Sequence, residues 1–377
     1  MVASVALGNA QFLSGATLIS HLKAAVKEKL QPMTEAIDRL GLYPKDFLRY
    51  IGALGAYAQA VDSDFGGTGQ GLLGTLQVIE TVARECGSTG FLTWCQNACA
   101  WYMQNSDNLF LKHTVLPAVA RGEFLAGTGL SNPMKHFAGI EKINLIAQPC
   151  QGGYVLNGML PWVSNIGDGH YFAIAARLAN SGNYLMAIVK GGEPGLVLRN
   201  DAHFIALEGT GTFKCIFRDY FVSSEWILSA PCTQYVELIK PGFILSQVGI
   251  GLGIVASCIE LIRQQNRRKS HVNCFLDDQA ESLEKELDEL RRNSHHLAEV
   301  IGCGQKFLSK ETLKEVIICR IKASELALRA AQSAMLHAGA IAYLENSPYY
   351  RKLREAYFVA IVTPALKHLR KMLASLE

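Results

Sequence analysis

Apolar and polar positions divide the chain into three stretches of different period. From Thr17 to Leu30 the apolar residues fall at helical spacing. Pro44-Lys-Asp opens a second segment that carries Phe47, Leu48, Ile51 and Leu54 on one face. A glycine-rich break at Asp64-Phe-Gly-Gly-Thr-Gly-Gln-Gly71 precedes helical patterns over Leu72 to Cys86, Thr89 to Met103 and around Leu111 to Arg121. From Gly122 to about Leu228 the pattern changes to short β-rich runs separated by turn residues: Tyr171 to Ala176, Tyr184 to Val189, Gly195 to Leu198 and Phe213 to Phe217. Gly153-Tyr-Val-Leu-Asn-Gly158 predicts a strand closing on an Asn-Gly hairpin turn. After Pro231 the chain reads as helix to its end, with Leu283, Leu287 and Leu290 on one side of a charged segment from Asp277 to Val300. Glu311 to Tyr343 and Lys352 to Leu376 are further helical patterns. The boundaries predicted are a helical domain over 1–122, a β barrel or sandwich over 123–229 and a helical bundle over 230–377.

Composition narrows the function classes. A chain of 377 residues suits two or three packed subdomains. With 49% hydrophobic and 18% charged residues, it has enough apolar surface for a large interior and for contacts between subunits. A net charge of +3 without a basic stripe argues against nucleic acid or an anionic membrane as partner. The ten cysteines contain no Cys-x-x-Cys pair, and Cys95 and Cys99, one helical turn apart, have no histidine pair to complete a zinc site. They read as buried small hydrophobes in a reducing compartment, with no metal expected. The longest apolar run, Phe243 to Ile262, is broken by Gly249, Gly251 and Gly253 and contains Glu260. No membrane span is expected, and the start lacks a signal or transit pattern, so a soluble cytoplasmic protein is expected. Gly249-Ile-Gly-Leu-Gly253 follows no strand and precedes no suitably placed acid, so close helix packing, not a dinucleotide loop, is expected there.

Five strings carry more specific information. They are Asp62-Ser-Asp-Phe-Gly-Gly-Thr-Gly69; Gly153-Tyr-Val-Leu-Asn-Gly158 with Pro161-Trp-Val-Ser-Asn165; Gly209-Thr-Gly-Thr-Phe213 with Phe217-Arg-Asp-Tyr-Phe-Val222; Met335-Leu-His-Ala-Gly339; and Arg354-Glu-Ala356. Together with the order helices, strands, helices, they resemble the acyl-CoA dehydrogenase family over nearly the whole chain. The resemblance implies a mainly α fold with a central β domain and a C-terminal four-helix bundle. It also implies FAD as cofactor, an acyl thioester as substrate and assembly into a homo-oligomer, a dimer or tetramer. It assigns Leu130, Ser131, Trp162 and Ser164 to the flavin ring, where hydrogen-bond donors stabilise the reduced, electron-rich form. It assigns His337 and Gly339 to the dinucleotide part, held partly by a neighbouring subunit, and puts the family's arginine near Arg267 or Lys269. A core aromatic for Trp162, a satisfied core residue for His337 and a surface charge cluster for Arg267 remain the plain alternatives.

Two departures bear on chemistry. The family removes the substrate α-proton with a buried glutamate, whose pKa burial raises towards neutrality. In most members that glutamate follows the Arg-Glu-Ala type element, and the matching position here is Thr363, in Val362-Thr-Pro-Ala365. Others carry it at the start of the bundle, around Phe243 and Ile244, which has no acid either. Glu345, Glu237 and His136 are the substitutes nearest in sequence, each with a solvated surface charge or loop residue as the blander reading. The loop that approaches the thioester becomes Ser131-Asn-Pro-Met-Lys-His-Phe137, which keeps Pro133 and loses its acids. Three functions stay open: α,β-dehydrogenation of an acyl thioester with a displaced base, a flavin monooxygenase or oxidase on the same fold, and a non-catalytic family member.

Overall fold

The computed structural model describes residues 12–302 and 308–376. Its first region is helical: α1 (Gly15–Ala25), α2 (Thr34–Arg39), α3 (Lys45–Leu54), α4 (Gly71–Glu85), α5 (Gly87–Asn105) and α6 (Leu116–Ala120). Helix α3 buries Phe47, Leu48 and Ile51 and ends on Gly55, whose φ of +103° only glycine adopts cheaply.

The strands are β1 (Ala126–Thr128), β2 (Leu145–Cys150), β3 (Gly153–Val163), β4 (Tyr171–Leu178), β5 (Tyr184–Lys190), β6 (Leu196–Arg199), β7 (Phe213–Ser223) and β8 (Ile227–Ser229), with the short helix α7 (Ser131–Phe137) after β1. They form one mixed sheet in the order β6-β7-β3-β2-β4-β5-β8, with β1 beside β4. β1 and β2 run parallel to β4, and the remaining pairs are antiparallel. β4 is apolar from Tyr171 to Ala176 because both its faces are covered there. Tyr171, Ala173 and Ala175 pack on the helices, while Phe172, Ile174 and Ala176 pack in the sheet's own core.

One expectation fails here. β3 runs straight through Asn157-Gly158, and the hairpin turn lies at Gln151-Gly152, between β2 and β3. At Asn157 the pairing with β7 slips by a bulge, where Gly158 has φ +132° and a Cβ would meet the Asn144 carbonyl at 2.4 Å. The Asn157 amide donates to Asp219 Oδ1, and the Asp219 N–H donates to Asn157 Oδ1, each at 3.0 Å. A bulge calls for a permissive glycine as much as a turn does, so the dipeptide alone does not separate them.

The C-terminal helices are α8 (Thr233–Ser246), α9 (Val248–Asn273), α10 (Ala280–Gly302), α11 (Lys310–Ala338), α12 (Pro348–Ile361) and α13 (Leu366–Ala374). α10 buries Leu283, Leu287, Leu290 and Leu297, as its period predicts. The α9 glycines are packing residues: a Cβ at Gly253 would meet Arg84 N and Glu80 O of α4 at 2.6 Å. The helical stretch Thr233–Asn273 is, contrary to expectation, long and apolar enough to cross a membrane by length and composition. Its apolar window is 89% buried, which makes it a core helix. Arg354 on α12 ties the regions together, pairing with Asp38 of α2 and donating to the Ile205 carbonyl at 2.7 Å.

The cysteine expectation holds in part. Cys150 and Cys274 are exposed, the other described cysteines are buried, and Cys303 lies outside the described residues.

Candidate active site

The site begins where β1 runs out. Thr128 bridges to Ser164 at the end of β3, which sets Leu130-Ser131 beside Trp162-Val-Ser164. Leu130 is buried, and Ser131 opens α7 half-buried. Ser164 and Thr212 share a hydroxyl hydrogen bond of 2.6 Å, and Thr212 shares another with Thr210 at 2.8 Å. Trp162 is 60% exposed, its ring edge-on to Phe204. An indole that open is not a core aromatic.

Ser131 connects this edge to the bundle. Its hydroxyl lies 2.8 Å from that of Thr363. Gln247, between α8 and α9, donates to the Thr363 carbonyl at 2.9 Å, and Arg320 of α11 donates to Gln247 Oε1 at 3.1 Å. Arg320 is fully buried, and its other acceptors are the Ser324 hydroxyl and the Val359 carbonyl, all neutral. Burial pulls its guanidinium down to about 10.

Beneath α7 lies a cavity of about 240 Å³, open on one side and lined by α7, α8, α11 and α13. Met134, Phe137, Phe243 and Ile244 make it largely apolar, and Pro364, the neighbour of Thr363, closes one side. Its polar groups are Glu237 and Lys240 on α8, Lys371 on α13, and His368, also on α13. Glu237 is paired with Lys240. Lys371 donates to the Ala138 carbonyl. His368 is 4% exposed, and neither ring nitrogen has a hydrogen-bond partner. Burial, reinforced by Lys371, Lys135 and Lys240, pulls its imidazole down to about 4, against a smaller opposing effect of Glu141.

This arrangement has relatives. Residues 16–123 match the acyl-CoA dehydrogenase N-terminal domain. The mitochondrial isovaleryl-CoA dehydrogenase of Solanum tuberosum is 23% identical over 347 residues, which are 88% of this chain and 82% of that protein. The chain has the acyl-CoA dehydrogenase fold. The fold agrees throughout: a glutaryl-coenzyme A dehydrogenase in complex with glutaryl-CoA superposes with a TM-score of 0.86 at 20% identity, covering 97% of this chain and 95% of that one. A dibenzothiophene monooxygenase from a Paenibacillus species superposes at 0.80 with 16% identity, covering 95% of this chain and 96% of that one. At these identities the superpositions establish the fold alone, and they do not choose between the two chemistries. The acyl-CoA dehydrogenase family uses FAD and acts on acyl-CoA substrates.

Against that family frame, the residues expected from sequence fall into three places. Leu130, Ser131, Trp162, Ser164 and Thr363 meet at one edge, as described. His337 and Gly339 end α11, where the Asn273 amide donates to the His337 carbonyl at 3.2 Å and Lys269 donates to the Ala338 carbonyl at 3.1 Å. Nδ1 of His337 faces the Ser333 carbonyl at 2.9 Å, while its buried Nε2 has no partner. Arg267, on α9 two residues before Lys269, is exposed. Of the three expected substitutes for the family base, only Glu237 borders the cavity. Glu345 is a surface residue paired with Arg39, and His136 is half-buried with Nδ1 3.1 Å from the Glu141 carbonyl. His368, Gln247 and Arg320 carry no sequence signal. Each is a lone polar residue in a helical pattern, and only the packing of separate helices brings them to the site.

Proposed function

We propose that the chain is an FAD-dependent oxidoreductase that dehydrogenates an acyl thioester between its α and β carbons, with the acyl group in the cavity beneath α7. One observation carries this reading. Three separate stretches that the resemblance assigns to substrate or base, Met134 to Phe137, Phe243-Ile244 and, through Pro364, the Thr363 segment, border a single, largely apolar cavity. Leu130, Ser131, Trp162 and Ser164 would hold the flavin ring, and His337, Gly339 and Arg267 the dinucleotide. The open indole of Trp162 and the orphaned Nε2 of His337 suit such a ligand. Val272 and Phe275 at the end of α9 and Leu336 and Tyr343 at and after the end of α11 are exposed, which suits contact with a second subunit of a homo-oligomer.

When bound, FAD supplies the electron acceptor. The chain's own part is to exclude water from the acyl group with Met134, Phe137, Phe243 and Ile244, and to present a proton acceptor. Glu237 is the carboxylate on the cavity wall that takes that role in this reading. The test is the visible spectrum of the purified protein during anaerobic addition of acyl-CoA thioesters. Bleaching of bound flavin supports dehydrogenation, and Glu237→Gln should slow it by a factor on the order of 10²–10⁴, the range for loss of a general base.

The Thr at 363 and the Ile at 244 favour a second reading, a flavin monooxygenase or oxidase, which needs no α-proton base. In that case every thioester leaves the flavin oxidised, yet chemically reduced flavin reacts with oxygen. A folded protein that takes up no FAD would sink both and leave a non-catalytic family member.

A further inference from the structure

Arg320 carries a charge that the proposed chemistry does not use. It is fully buried, yet its guanidinium donates only to neutral acceptors: Gln247 Oε1 at 3.1 Å, the Val359 carbonyl at 2.6 Å and the Ser324 hydroxyl. An arginine is almost never fully buried unless an opposite charge pairs with it. The titratable group that acts on it is Cys319, on the same helix, and burial pushes that thiol up to about 12, so it is uncharged. The interior beneath Thr363 therefore holds a cation whose hydrogen-bond partners leave it unneutralised. An anion formed nearby would be stabilised by it, and the hydrogen bonds point to where. Gln247 accepts from Arg320 and donates its amide N–H to the Thr363 carbonyl at 2.9 Å. The Thr363 hydroxyl lies 2.8 Å from that of Ser131. Each link is polarised by the charge behind it. The path ends at Ser131, which the FAD reading places at the flavin ring.

We propose that Arg320 is a positioning residue for the cofactor: through Gln247, Thr363 and Ser131, its charge holds the reduced flavin as an anion and favours reduction. Uptake of two electrons and one proton, at N5, leaves a negative charge over N1 and the adjoining C2 carbonyl. A second proton, at N1, cancels that charge. Charge near these atoms is one of the means by which a protein tunes a flavin. A unit charge on the order of 10 Å from an anion, at an effective dielectric constant of about 20, moves such an equilibrium by roughly tenfold. Arg320 does not border the cavity, so it acts on the reaction only through other groups. The inference rests on the FAD reading and not on the choice between dehydrogenation and oxygen chemistry, because both pass through reduced flavin.

Two measurements test it on the whole protein loaded with FAD. The first uses the parent alone. The near-ultraviolet spectrum of the fully reduced flavin, which differs between its anionic and neutral forms, is recorded anaerobically across the acid range beside free reduced FAD. The N1 midpoint should lie at least about one pH unit below that of free FAD, and a midpoint at or above it overturns the proposal. The second compares Arg320→Lys, which keeps the charge and loses the planar fork, with Arg320→Gln, which loses both. Bound flavin is equilibrated with a redox dye of known potential. Arg320→Gln should lower the equilibrium constant for reduction about tenfold, while Arg320→Lys should stay within about threefold of the parent even though it is less stable to urea. Equal shifts in the two variants would mean that Arg320 acts only as a joint between helices, and no shift in either would mean that its charge does not reach the flavin. Both results overturn the proposal. Should Arg320→Gln not fold, a parent midpoint at or above that of free FAD, or a tenfold fall in Arg320→Lys, still overturns it. A parent that takes up no FAD removes the FAD reading and this inference with it, whereas bound flavin with an unshifted midpoint removes this inference alone.

Discussion

Two buried basic groups in the C-terminal helices stand in contrast. Arg320, beneath Thr363, and His368, on the cavity wall, both lie inside the protein without a carboxylate partner. Arg320 nevertheless spends its guanidinium on three neutral acceptors contributed by separate segments: Gln247 ahead of α9, Ser324 one turn along α11, and Val359 on α12. His368 has no acceptor at all. A satisfied buried charge acts as a joint, because each hydrogen bond fixes a helix against another. A buried neutral imidazole without partners instead costs stability and fixes nothing. The difference separates a residue that holds helices together from one whose burial ties none.

Removing the joint has the largest expected consequence. Arg320→Ala leaves Gln247 Oε1 and the Val359 carbonyl buried without donors and opens a void among α9, α11 and α12. A loss of about 3–5 kcal/mol is expected, the range for breaking a buried, hydrogen-bonded charge cluster. Urea unfolding at pH 7 measures it. Arg320→Lys should recover only part of the loss, because a single ammonium cannot reach three acceptors in a planar fork. A loss below about 1 kcal/mol for Arg320→Ala would mean that the two regions do not differ in the way the hydrogen bonds indicate.

The cavity side gives a pH signature. His368 has a folded pKa pulled to about 4 from the ordinary 6.5. Between those values the unfolded chain binds a proton that the folded protein does not, so stability falls as pH drops through this window. Its contribution is roughly 2 kcal/mol at the acid end, once screening through the open cavity is allowed for. His170 and His295, also lowered by burial, add slopes of the same sign. The test is therefore a difference: His368→Gln should flatten the stability profile between pH 6.5 and pH 4 relative to the parent and leave it unchanged above pH 7. An identical slope in both proteins would show that the ring is not desolvated.

The fold was largely legible in the sequence because its signals are local. The period of α10, the β-rich runs of β4 and β5, and the glycines of α9 each state which faces are covered, and the packing agrees. Asn157-Gly158 misled because a turn and a bulge make the same demand on the backbone, and only the Asp219 partner 62 residues away distinguishes them. That Leu130 and Ser131 lie beside Trp162 and Ser164 was legible through the Trp162-Val-Ser164 string and its neighbours. The cavity was not. His368 and Lys371 are three residues apart on a helix with ordinary amphipathic spacing, and nothing local says that α7 and α8 will close over them. Glu345 and Glu237 looked alike in sequence, and tertiary packing alone put one at the surface and the other on the cavity wall.

The smallest effect expected is at Thr363, where the two regions meet. Its side chain makes one hydrogen bond, with the Ser131 hydroxyl, while the tie to Gln247 runs through its backbone carbonyl. Thr363→Ala thus removes one partly buried hydroxyl pair and leaves the Arg320–Gln247 chain intact. A cost of about 1 kcal/mol is expected, and Ser131→Ala together with Thr363→Ala should cost less than the two single changes summed, because either one already breaks the shared bond. A double-mutant cycle by urea unfolding reads that coupling. If the cost of Thr363→Ala instead approaches that of Arg320→Ala, the hydroxyl belongs to the joint and the boundary between the two regions lies on the Ser131 side. If the two changes simply add, the hydroxyls do not hold each other, and Ser131 is free to turn towards whatever binds beside Trp162.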